Sequence, residues 1–116
     1  MIKRGITPYL VGTNADAGQI NKILALEPLA QTLLGKTSFA GLAHLCANAA
    51  FVIGNDTGPT FMAARTGAPT IMLMGPQTDP KMSAPIGTAA SWMHNANLQA
   101  ITSDDVLAKL EDINVL

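Results

Sequence analysis

Within this 116-residue chain, Gly54-Asn55-Asp56-Thr57-Gly58-Pro59 combines residue types and spacing that could do chemistry. It follows an apolar run, Phe51-Val52-Ile53, and leads into a short helical stretch from Thr60 to about Thr66, closed by Gly67. Where a strand turns into a helix, the first helical amides lack internal partners and point along the positive end of the helix dipole. That is a ready site for a phosphate or diphosphate. Gly58 lets a ligand come close to the backbone, and Pro59 suits a first helical turn. Thr57 and Gly58 supply the amides, and the Thr57 hydroxyl adds a donor. Asp56 would repel phosphate, so its better role is to accept hydrogen bonds from sugar hydroxyls. A plain reading accounts for the same residues: Asp56 caps the helix and Gly58 makes a turn.

Other elements must hold such a loop. Tyr9-Leu10-Val11 reads as a short strand, followed by turn residues Gly12 to Asp16 and a helix to about Leu26 with Ala17, Ile20, Ile23 and Leu24 on one face. Pro28 ends that helix. Thr32-Leu33-Leu34 reads as a second short strand. Thr37 or Ser38 can cap a helix whose Phe39, Leu42, Ala43, Leu45, Cys46 and Ala49 recur at helical spacing. Thr70 to Met74 is apolar throughout, as a parallel strand buried between helix layers is. Gly75 to Asn97 reads as irregular, Leu98 to Ile101 as a further strand, and Ser103 as the cap of a last helix with Val106, Leu107 and Leu110 inward. Strands alternating with helices predict an α/β fold with an open parallel sheet, in one domain over residues 1–116. Ligands of such sheets bind beyond the carboxyl ends of the strands, where the Gly12–Asp16, Gly54–Pro59 and Gly75–Gly87 loops fall.

Composition removes several classes. The basic residues are scattered and the net charge is −1, so there is no basic footprint for nucleic acid. A single cysteine, Cys46, rules out an intrachain disulfide or a cysteine-rich zinc site. No Asp-x-Asp pair is present to hold a metal, and no metal or cofactor is expected. The opening residues lack an apolar secretory core and no apolar run approaches a membrane span, so a cytoplasmic protein is expected. Gly35-Lys36-Thr37 resembles the end of a P-loop, but Ala30 stands where its first glycine is required. His44 and His94 have no second histidine at ligand spacing.

The order of these segments resembles a known family. Gly54 to Pro59, Ala63-Ala64, Gly67-Ala68-Pro69-Thr70, the upstream Gly35-Lys36-Thr37-Ser38 and the downstream Gly75-Pro76-Gln77-Thr78-Asp79-Pro80 are similar to the donor domain of glycosyltransferases that include ADP-heptose:lipopolysaccharide heptosyltransferases. The resemblance runs through nearly the whole chain in one order. It implies the C-terminal, Rossmann-like half of a GT-B enzyme, with the acceptor site and catalytic base in an N-terminal half. By position it implies Asp56 at the donor sugar, Thr57 and Gly58 at the diphosphate, Lys36 and Thr37 by the adenine pocket, and Asp16 near the ribose. The chain departs from the family at Thr60-Phe61-Met62, where Met-His-Leu is usual, and at Gln77, where the family passes directly from Pro to Thr-Asp-Pro.

The resemblance implies transfer of heptose or a related sugar from a nucleoside-diphosphate sugar to a lipopolysaccharide-type acceptor, at the inner face of the bacterial inner membrane. By itself the chain is expected to bind nucleotide sugar without turnover, and an exposed cleft face could self-associate. The alternative is a non-catalytic nucleotide-binding or interaction module.

Overall fold

The computed structural model describes residues 5–33, 35, 36, 38–77, 79 and 84–115. It is an α/β protein with parallel sheets flanked by helices, and it divides into two compact units, Met1–Gly41 and Leu42–Leu116.

In the first unit, β1 (Tyr9–Leu10) pairs in parallel with β2 (Gln31–Thr32). The Gln31 amide donates to the Pro8 carbonyl at 2.9 Å and the Leu33 amide to the Leu10 carbonyl at 2.9 Å. The ladder continues past both strands, with the Gly35 amide donating to the Gly12 carbonyl at 3.0 Å. The crossover is a short 3-10 turn, Asn14–Asp16, running into α1 (Ala17–Leu26). Ile20 is the buried residue of α1, while Ile23 and Leu26 are exposed, so the core-facing stripe is narrower than the apolar spacing suggested. The helix stops before Pro28 because Glu27 is extended, at φ −138° and ψ 84°, as the residue preceding a proline must tend to be. Leu34, expected in the second strand, lies outside the described residues.

Helix α2 (Phe39–Ala47) is capped by Ser38, whose Oγ accepts from the Gly41 amide at 3.0 Å.

In the second unit, β3 (Val52–Asn55), β4 (Thr70–Met74) and β5 (Ala90–His94) form a parallel sheet in that order. Ile53 pairs with Ile71, which pairs with Ser91. β4 is central, and Thr70, Ile71, Met72 and Met74 are fully buried in it. The Thr70 hydroxyl, placed in this apolar layer, donates to the Ala68 carbonyl at 2.9 Å. Helix α3 (Gly58–Arg65) lies against β3 and β4 and buries Thr60, Ala63 and Ala64. It ends at Gly67, whose φ of +88° favours glycine.

β5 corrects the sequence reading, which left Gly75 to Asn97 irregular. Ala-Ser-Trp-Met-His has neither clean alternation nor a β-branched residue, and it is a strand because the outer edge of β4 gives it a ladder. Leu98–Ala100 is a 3-10 turn rather than a strand, started by Asn97, whose Oδ1 accepts from the Gln99 amide.

Helix α4 (Ser103–Asp112) is capped by Thr102, not Ser103. Thr102 Oγ1 accepts from the Asp105 amide at 3.1 Å, and Asp105 Oδ2 accepts from the Thr102 amide at 2.9 Å. This is a capping box with Asp in the reciprocal position. The helix closes with Asn114 at φ 63°, its amide on the Glu111 carbonyl and the Val115 amide on the Leu110 carbonyl. Leu110 is fully buried. Among the described residues no helix is long and apolar enough to cross a membrane.

Candidate functional site

The carboxyl end of β3 delivers Asn55 to the sheet rim, and the chain turns into α3 within two residues, Asp56 and Thr57. Thr57 is the N-cap in extended geometry, at φ −124° and ψ 163°. Its carbonyl accepts from the Thr60 and Phe61 amides, both at 3.1 Å. Asp56 is exposed beside it and is not the cap, so the plain reading of this loop is corrected on that point.

The donors at the helix start differ from those expected. The Thr57 amide is already engaged, donating to the Asn55 carbonyl at 2.9 Å in a tight turn. Pro59 has no N–H, and the Thr60 amide is bonded to Thr57. The Gly58 amide therefore remains, with no acceptor among the described residues, together with the Thr57 hydroxyl. Thr57 Oγ1 lies 3.3 Å from Thr60 Oγ1. Gly58 itself is exposed, and a β-carbon there would meet nothing within 4 Å.

Two further loops follow strands of the same sheet at the same rim. Gly75-Pro76-Gln77 follows β4, and Asn95 to Asn97 follow β5, the Asn95 amide donating to the Met74 carbonyl at 3.1 Å. Asn95 Oδ1 accepts from the Asn97 amide at 2.8 Å and so shapes its own turn. Sequence reasoning missed the Asn95–Asn97 loop because it missed β5. It also passed over Thr60, whose signal was a hydroxyl residue three positions after Thr57 at a helix start.

The remaining predicted residues sit in the first unit. Lys36 is exposed in the turn after β2, its amide donating to the Leu33 carbonyl at 2.9 Å. Thr37 lies outside the described residues. Asp16 is half-buried, and its Oδ2 accepts from the Thr13 amide at 2.9 Å and from Thr13 Oγ1 at 3.3 Å, closing the loop it belongs to. The Gly35–Gly12 hydrogen bond sets the Gly12–Asp16 loop next to the Gly35-Lys36 turn. The first unit thus groups Asp16 with Lys36, and the second groups Asp56, Thr57 and Gly58. Among the described residues there is no cluster of three metal-ligating side chains.

Comparison with known proteins accords with this fold. No curated protein matches the chain. Among solved structures, ADP-heptose lps heptosyltransferase II of E. coli is similar, with a TM-score of 0.86 and 26% identity over 97% of this chain and 37% of that one. A glycosyl transferase family 9 protein of Veillonella parvula DSM 2008 shares the fold, with a TM-score of 0.86 and 18% identity over 96% of this chain and 37% of that one. The chain therefore spans little more than a third of the length of either. The model of glycosyltransferase family 9 (heptosyltransferase) matches residues 1–111. With that match over nearly all its length, the chain belongs to glycosyltransferase family 9.

Proposed function

We propose that this chain is the donor-binding half of a glycosyltransferase that moves heptose or a related sugar from a nucleoside diphosphate, ADP-heptose in the first instance, to a lipopolysaccharide-type acceptor. The observation that carries the reading is the start of α3, where the Gly58 amide and the Thr57 hydroxyl stand at the rim of a parallel sheet. Backbone donors at a helix start favour an anion, and the carboxyl rim is where such sheets bind ligands. The named activity of the similar E. coli enzyme supplies the substrate class.

In this reading the Gly58 amide and Thr57 hydroxyl meet the diphosphate, and Asp56 accepts from hydroxyls of the donor sugar. Lys36 and Thr37 border the adenine, and Asp16 shapes the loop next to the ribose. As the glycosidic bond breaks through an oxocarbenium-like state, negative charge grows on the leaving diphosphate. A fixed donor aimed at that charge lowers the barrier by about 3 kcal/mol, and no cofactor or metal takes part. The acceptor and the catalytic base belong to a second half of the enzyme, working at the inner face of the inner membrane.

Calorimetry with ADP, ADP-heptose and UDP sugars tests the reading. Binding of the adenine nucleotides, reduced by Asp56→Ala, supports it. Sugar transfer by this chain alone would overturn the division of labour. Phe61, half-buried where the family usually carries histidine, favours the second reading, a nucleotide-binding or interaction module without catalysis. Silence of the folded chain towards every nucleotide would leave only an interaction module.

A further inference from the structure

We infer that Thr60 is a positioning residue that fixes the direction of the Thr57 hydroxyl, making Thr57 an outward-facing donor for an anionic oxygen; the ligand-facing part rests on the proposed nucleotide site. Thr60 is 5% exposed, and the only hydrogen-bond partner of its hydroxyl among the described residues is Thr57 Oγ1, at 3.3 Å. No buried side-chain polar atom among the described residues is left unsatisfied.

Distance alone permits either hydroxyl to donate. Burial decides between them. If Thr57 donated, the Thr60 proton would be left in the interior with no acceptor, an arrangement proteins avoid because a buried donor loses its water without replacement. With Thr60 donating, its proton is satisfied, and the displaced proton belongs to exposed Thr57, which can give it to solvent or ligand. The Thr57 oxygen has then accepted one bond, which polarises its own O–H and strengthens it as a donor. Such a group suits phosphate oxygens, which only accept, and adds to the adjacent Gly58 amide.

Gly54 is the other half of the device. A β-carbon on Gly54 would overlap Thr60 Oγ1, so the glycine is what admits the Thr60 hydroxyl beneath the loop.

The test compares Thr60→Val, which keeps the shape and removes the proton, with Thr60→Ser, which keeps both hydroxyl functions. Circular dichroism checks folding, and calorimetry reads ADP against adenosine. We expect Thr60→Ser to bind ADP within about twofold of the parent and Thr60→Val to lose about tenfold, with adenosine affinity unchanged in both. Thr57→Val should lose as much, and the double variant no more than either single one. A Thr60→Val chain that binds ADP like the parent while Thr57→Val weakens it would overturn the inference, as would additive losses. Without ligand, NMR at low temperature should show a slowly exchanging Thr60 hydroxyl proton next to Thr57; a protected Thr57 proton instead overturns the assigned direction. If the parent itself ignores ADP, the proposed function and the ligand-facing role both fall, and the hydroxyl measurement alone then decides the direction of the bond.

Discussion

Gly54 and Thr60 occupy one another's space: the Thr60 hydroxyl lies where a side chain at position 54 would begin. The backbone of β3 thereby packs directly against the Thr60 side chain in the first turn of α3. Gly54→Ala should force one of them to shift and destabilise the chain by about 1–3 kcal/mol, read as a lower urea midpoint with an unchanged slope. Thr60→Ala should relieve part of that loss in the double variant. Strictly additive effects would show that the two sites do not share the space.

Gly58 is the opposite case. A β-carbon there meets nothing within 4 Å and its φ is not in the left-handed region, so the protein itself does not require glycine. Gly58→Ala should leave the fold intact and raise stability by about 0.4–1 kcal/mol through a less flexible unfolded chain. Under the proposed function it should weaken ADP binding, and Gly58→Val more so. Thermal unfolding and calorimetry on the same samples should therefore move in opposite directions, and unchanged affinity would remove Gly58 from the site.

The reciprocal hydrogen bonds of Thr102 and Asp105 hold the start of α4. Either Thr102→Ala or Asp105→Ala should cost about 1 kcal/mol. The double variant should cost less than the sum, since each single change already opens the box. Ser103→Ala, at the position the sequence first suggested as cap, should be close to neutral in the same denaturation assay.

Cys46 is buried, and burial pushes its thiol above the ordinary range because the thiolate loses solvation. The folded state then holds the proton more tightly than the unfolded state. Stability from this group is complete below the ordinary thiol range near ~8.5 and falls as pH rises through the higher folded value. A thiol reagent at neutral pH should label Cys46 slowly in the folded chain and quickly in urea. Cys46→Ala should flatten the alkaline decline. Rapid labelling of the folded chain would contradict its burial.

The strength of the sequence as a guide varied with how local the cause was. Thr70 to Met74 was legible because a central parallel strand must be apolar on both sides, and the cap of α2 was legible to one of two neighbours, Thr37 or Ser38, because the Ser38 bond to the Gly41 amide lies within one turn. β5 was not legible: Ala90 to His94 owe their conformation to pairing with β4, twenty residues distant, and carry little local preference. At the candidate site the strand-to-helix turn was read correctly in place. The occupation of the Thr57 amide by the Asn55 carbonyl was not, because it depends on how tightly the turn closes, which residue types do not specify. Asp16 was assigned by position towards a ribose; its carboxylate also engages Thr13, a loop contact that residue types alone did not announce.

Among the described residues the strands of the second unit's sheet pair only in parallel, with no hairpin. Val52 must find Thr70, and Thr70 must find Ala90, before either ladder gains its first bond. Chain ends that far apart lose entropy in closing before any pairing compensates, so the refolding rate should be set by these closures rather than by the helices, which can start on their own caps. During that delay Ile71, Met72 and Met74 are uncovered together, and refolding yield should fall as protein concentration rises.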